Sequence, residues 1–155
     1  DDPSAQLNIG LYYQARNQLA LAEDAYARAL ELDPYFIGAY INLADLYRAS
    51  MRDPMAETLL NKGLEALPEA APLHFSLGLL KVRSKNMADA LIELRRAVVL
   101  DPQNAHYRYV LAVALDSADQ RDAALALIAE GLDLTPANQT LLTLQQQLQN
   151  KDATQ

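Results

Sequence analysis

Cysteine is absent from this chain of 155 residues. That removes disulfides, thiolate metal sites and cysteine nucleophiles in one step. It leaves the compartment open, because a cysteine-free chain suits cytosol and periplasm alike. Histidine occurs only at His74 and His106, and no HExxH pair, glycine-rich phosphate loop or Gly-x-Ser-x-Gly elbow is present. His74 and Ser76 are near in sequence, but residues two apart on a helix do not face one another. Neither catalytic residues nor a metal or other cofactor are therefore expected. No apolar run reaches the roughly 18 residues that cross a bilayer, and the start shows no signal-peptide pattern. Basic residues are outnumbered, 13 against 20 acids, giving a net charge of −7 and a pI of about 4.7. A phosphate backbone is repelled by that average, so nucleic acid is not the expected partner.

What is present is ordinary for a globular protein: 51% hydrophobic and 21% charged residues. The length suits one domain with a sizeable core. The chain opens at Asp1 rather than at methionine, so a fragment of a larger protein is expected.

Internal repetition decides the architecture. Prolines stand at 34, 68, 102 and 136, each 34 residues from the last. Residues 3–36, 37–70, 71–104 and 105–138 align without gaps. Each block reads as two helices around a short polar turn, namely Asn17-Gln18, Met51-Arg52-Asp53, Lys85-Asn86-Met87 and Asp119-Gln120-Arg121. Pro54 after Asp53 reads as the first helical position behind an N-cap. The block-ending prolines stop one helix and lie near the start of the next.

Matching positions form columns. Gly10, Ala44, Gly78 and Ala112 make one small column, with Ile9, Leu43, Leu77 and Leu111 just before it. Ala22, Ala56, Ala90 and Ala124 make a second. Tyr26, Leu60, Leu94 and Ile128 follow, then Ala29, Gly63, Ala97 and Gly131. Small residues let helix backbones approach while large ones fill the space beside them. One helical pair cannot bury such a face alone, so the blocks must stack.

These columns resemble the tetratricopeptide repeat, a 34-residue helix–turn–helix. The resemblance implies an all-α superhelix of about nine helices. Its tyrosine column holds Tyr13 and Tyr47, but Lys81 and Leu115 depart from it. Its first large column holds Gln6, Tyr40, His74 and Arg108, of which only Tyr40 fits the pattern. After block four, residues 138–150 read as a capping helix with Leu141, Leu144 and Leu148 on one face. The tail Lys151–Gln155 is expected to fray. Nothing polar covers block one, so Leu11 and Tyr12 are expected to be partly exposed.

The resemblance also implies that the first helices line an inner groove and bind a protein partner. Mapped onto this chain, an apolar track runs Leu7 and Leu11, Ile41, Phe75 and Leu79, then Tyr109 and Val113. A polar row of Asn8, Asn42 and Ser76 lies beside it and ends at Val110. Asp45, Arg48, Arg83 and Asp116 border the far side. Such amides can pair with the backbone of an extended peptide, while the apolar track takes its alternate side chains or one face of a helix. The same residues could instead serve only to pack adjacent first helices. A carboxylate clamp of the chaperone-binding kind is not expected, because Leu7, Leu11, Asn42, Pro72 and Ser76 occupy its positions and only Asn42 matches.

Charge divides between two edges. Arg16, Arg48, Arg52, Arg83, Lys85 and Arg121 gather near the turns inside the blocks, and Glu31, Asp33, Glu69, Asp101 and Asp133 gather at the other edge. Cations at the ends of first helices suit the helix dipole, and a basic rim could also steer an acidic partner. Two functions follow. One is a scaffold that holds a peptide or helical segment. The other is an oligomerisation or docking module of a larger protein, self-associating through block one. The run from His106 to Leu115 looks similar to arrays that follow bacterial multi-haem cytochrome domains.

Overall fold

The computed structural model describes residues 2–152, with side chains through residue 150. Among the described residues the chain forms nine α-helices and no strand. They are α1 Pro3–Ala15, α2 Leu19–Leu32, α3 Ile37–Ala49, α4 Asp53–Ala66, α5 Ala71–Arg83, α6 Met87–Leu100, α7 Ala105–Ser117, α8 Arg121–Leu134 and α9 Gln139–Asp152. The first-helix starts, α9 included, keep the 34-residue step of the prolines, and so do the second-helix starts. The tail expected to fray lies largely outside the described residues, and α9 continues through Asp152. Its cap is Asn138, whose Oδ1 accepts from the Leu141 amide at 3.0 Å.

Each block-ending proline occupies the second position of a four-residue turn. The carbonyls of Asp33, Leu67, Asp101 and Thr135 accept from the amides of Phe36, Ala70, Asn104 and Asn138. Proline suits that position because its ring presets φ. The turn leaves the proline's own carbonyl unused. Tyr40 Oη donates to it at Pro34 (3.1 Å), and Arg108 Nη2 donates to it at Pro102 (2.9 Å). His74 Nε2 reaches it at Pro68 (3.0 Å). His74 and Arg108, which fit the family pattern poorly, thus share one task with Tyr40. The column selects for a donor that reaches back six residues.

The turns inside the blocks repeat just as regularly. Asn17, Met51, Lys85 and Asp119 all have φ between 57° and 61°. The following amides, Gln18, Arg52, Asn86 and Gln120, bond back to the carbonyls of Tyr13, Tyr47, Lys81 and Leu115. This is a Schellman closure, which places its first residue past the helix in the left-handed region. Asn and Asp tolerate that region; Met51 and Lys85 pay steric strain for it. Behind the second turn, α4 begins at Asp53 rather than after it. Pro54 is therefore the second helical residue, and Arg52 occupies the cap without a side-chain bond. The Asp53 carboxylate accepts from Arg83 Nε at 2.9 Å instead.

The small columns mark the tightest helix contacts. A Cβ built on Gly10 would lie 2.3 Å from the Tyr26 ring, and one on Gly78 would lie 2.7 Å from Leu94. On the second helices, Gly63 lies against Tyr40 and Gly131 against Arg108. The smaller partners of that column, Gln6 and His74, are matched by Ala29 and Ala97 at the equivalent positions. Buried residues form two clusters. One joins α2, α3, α4 and α5 through Tyr26, Tyr40, Leu46, Leu60 and Leu73. The other joins α6 through α9 through Leu94, Leu111, Ile128 and Leu141.

The interfaces between blocks are keyed individually. Tyr47 Oη donates to Glu23 at 3.0 Å, and Arg52 Nη2 pairs with the same carboxylate at 2.8 Å. One block later Lys81 stands in for the tyrosine and its Nζ bonds Glu57, which is equivalent to Glu23. One block further the pair becomes Leu115 and Leu91, both buried in the second cluster. Burial pushes the Tyr47 hydroxyl above its ordinary value of 10.0, and the hydrogen bond to Glu23 adds to that. Arg52 is raised chiefly by its hydrogen bond to Glu23. Of the basic residues at the turns, Arg52 and Arg83 join neighbouring blocks, while Arg48 and Arg121 pair within their own.

Candidate protein-binding surface

The first helices lie against one another along one side of the molecule: α1 on α3, α3 on α5 and α7 on α9. No two second helices share a comparable contact. The first helices therefore line one side of the array, and the candidate residues lie along it.

The candidate apolar track divides into two columns of different character. Leu7, Ile41, Phe75 and Tyr109 are half-buried and packed against the two core clusters. Phe75 stacks on Tyr107 with ring centroids 4.4 Å apart and meets His106 edge-on at 5.3 Å. This column joins neighbouring first helices. The second column is Leu11, Asp45, Leu79 and Val113. Leu11 is 43% exposed and Val113 38%. Leu79 is half-buried. Its one break is Asp45, whose carboxylate pairs with Arg48 at 2.5 Å.

The polar row is uneven. Asn8 is exposed, but Ser76 is buried at 7% exposure. Asn42 Nδ2 donates to the carbonyl of Gly38 in its own helix at 2.7 Å. On the far border, Arg83 is held by Asp53 and Arg121 by Asp116, each at about 2.8–2.9 Å. Sequence reasoning missed the continuation of this face onto α9. Stepping the spacing once more from Tyr109 and Val113 lands on Thr143 and Gln147. Both line a depression of about 330 Å³ with Tyr109, Gln139, Thr140 and Leu144. The signal was available in the period itself.

His106 is exposed and meets Phe75 edge-on. His74 is held between Pro68 and the Glu93 carboxylate, 2.6 Å from Nδ1. Among the described residues no cluster of three or more His, Cys, Asp or Glu could hold a metal ion.

A family model described as the tetratricopeptide repeat matches residues 3–36. The solved structure of a thermophilic TPR protein from Thermus thermophilus superposes with a TM-score of 0.78, covering 96% of this chain and 81% of that one, at 22% identity. The fold is the tetratricopeptide-repeat array. Pseudomonas aeruginosa pilF gives a TM-score of 0.81 at 21% identity, covering 98% of this chain and 69% of the other. Among curated sequences, human protein O-mannosyl-transferase TMTC3 is 27% identical over 158 residues, covering 92% of this chain. The yeast anaphase-promoting complex subunit CDC16 is 28% identical over 123 residues, covering 75% of this chain. The chain spans only 17% and 15% of the length of these two relatives. An array of this fold is consistent with a protein-interaction scaffold. Among the described residues, no helix is long and apolar enough to cross a membrane.

Proposed function

We propose that the array binds a peptide or helical segment of a partner protein along the inner face of its first helices, and that it is not an enzyme. The observation that carries this is the column of Leu11, Leu79 and Val113, which joins neither core cluster and exposes Leu11 and Val113, while the neighbouring column does the packing. Three partly exposed side chains offer about 3 kcal/mol on burial. Association costs exceed that, so an occupant needs polar contacts as well, from Asn8 and from Thr143 and Gln147 at the far end. The mannosyl-transferase relatives bear on the array alone, since this chain covers about one sixth of them.

Leu79→Asp tests this reading cleanly, because Leu79 belongs to neither core cluster. Phe75→Asp does not, since it would break the stack on Tyr107. Peptides selected on the native chain should lose binding to Leu79→Asp while its circular dichroism stays unchanged. Undiminished binding would remove the inner face from consideration.

A second reading rests on α1. Ile9 is 41% exposed and Tyr12 56%, whereas their equivalents Leu43, Leu77, Leu111, Leu46, Leu80 and Ala114 are at most 5% exposed. The face that elsewhere receives a preceding block is open here, and it would serve self-association or docking. Sedimentation of the chain tests it. A monomer at high concentration, unchanged by Tyr12→Glu, counts against a homotypic contact.

A further inference from the structure

The outer face of α6 differs from its three counterparts. Ile92 and Val99 are 63% and 67% exposed. They stand where the other second helices carry Asp24, Thr58 and Ala126, and Glu31, Glu65 and Asp133, respectively. Arg95 and Arg96 lie between them, and among the described residues neither has an ion-pair or hydrogen-bond partner. Residues at i, i+4 and i+7 share one helix face, so Ile92, Arg96 and Val99 form a stripe with Arg95 at its side. The helix carries two arginines against two carboxylates, Asp89 and Glu93, whereas α2, α4 and α8 each carry one basic residue against three acids.

Arg96 also borders a depression of about 530 Å³ whose other walls are Ile37, Ala66, Leu67, Pro68, Glu69 and Ala70. An apolar hollow, a guanidinium at its rim and two exposed branched side chains along the adjoining helix make one continuous surface. The hollow lies at the turn between α4 and α5, beside the start of α3, and shares Arg96 with the α6 stripe.

We infer that this outer surface is a second docking site, independent of the inner face, for an acidic amphipathic helix of a partner protein. Charge selects the occupant: the two free arginines sit on a chain of net charge −7, so they attract carboxylates locally where the average surface repels them. Geometry sets its pattern. Ile92 and Val99 are about 10 Å apart along the helix axis, which matches two apolar anchors seven residues apart, with glutamates between them facing Arg95 and Arg96. One further apolar side chain enters the hollow beside Arg96.

The test uses a labelled synthetic helix of about 14 residues with two leucines seven apart and glutamates between, read by fluorescence anisotropy against the full chain. A counterpart with lysines for glutamates is the control. Binding of the acidic helix, weakened about tenfold by Val99→Glu and by Arg96→Glu and untouched by Leu79→Asp, is the expected result. Val99→Glu is a safe probe of folding because blocks one and two carry glutamate at that position. Equal binding of the lysine peptide would overturn the proposal, as would indifference to Val99→Glu or loss on Leu79→Asp. Co-sedimentation of the chain with phosphatidylserine vesicles, abolished by Val99→Glu while the acidic peptide fails to bind, would assign the stripe to a lipid surface and likewise overturn it.

Discussion

Arg108 reaches back six residues to donate to the carbonyl of Pro102 at 2.9 Å, although it is only 5% exposed. Its carboxylate partner Glu130 is 3.6 Å away with a side chain 71% exposed. The guanidinium is thus tied to a turn rather than committed to a buried ion pair. Arg108→Met keeps the volume but leaves the proline carbonyl without its donor. A loss of about 1–3 kcal/mol is expected, read as a lower urea midpoint. Tyr40→Phe, which loses the same bond from a neutral donor, should cost about 1 kcal/mol.

Gly10→Ala is expected to destabilise the chain by about 1–3 kcal/mol. The added methyl would meet the Tyr26 ring at 2.3 Å, and that ring is fully buried and held by Gln14 through its hydroxyl at 2.6 Å. Combining it with Tyr26→Leu recreates the Ala44 and Leu60 pair of block two and should recover much of the loss. Thermal unfolding of the two variants decides it.

Lys81 and Glu57 form a pair whose worth can be measured as a unit. Lys81→Leu alone leaves Glu57 facing an apolar group, and Glu57→Leu alone leaves a largely buried ammonium with only Asp89, 4.0 Å away. The double change rebuilds the leucine pair of the next joint. Each single variant should lose about 1 kcal/mol, and the double should lie within roughly 0.5 kcal/mol of the parent. A strictly additive cycle would show that the two residues do not act together.

Alkaline pH should weaken the fold. Burial raises the hydroxyls of Tyr26, Tyr40, Tyr47 and Tyr107 above 10.0. Above that value the unfolded chain releases these protons while the folded chain keeps them. Their contribution is complete below pH 10 and is lost as pH rises through the folded values. Urea midpoints should hold level up to about pH 9 and fall above pH 10. Tyr47→Phe should make that fall shallower.

Met51→Gly relieves left-handed strain at φ 58°. The side chain it removes is 78% exposed. The relief of about 1–2 kcal/mol is partly offset by the added freedom of the unfolded chain. A gain of about 0.5 kcal/mol in chemical denaturation is expected, and a loss would show that Met51 packs favourably against Arg83.

The period and the small columns were legible because both are written in residue identity. Gly10, Gly78 and Ala44 announce close helix contact wherever they recur. The column of Tyr40, His74 and Arg108 was not legible, since three unlike side chains share only a donor and a reach. Met51 and Lys85 gave no hint of positive φ, which the closure imposes and which Asn17 and Asp119 accept more easily. The inner track read as one stripe because Phe75 and Leu79 are both apolar. Only the position of Tyr107 separates the residue that packs from the one that does not.

Near-identical modules on one chain run a particular risk during folding, because any second helix resembles the correct neighbour of any first helix. The three joints answer that risk with different chemistry. A block docked out of sequence would set Lys81 against Glu23, which is tolerable, or Leu115 against Glu57 and Lys81 against Leu125, which are not. Assemblies that exchange the last joint for an earlier one would therefore bury a charge opposite a leucine. The change from glutamate at positions 23 and 57 to leucine at 91 sets the last joint apart from the first two.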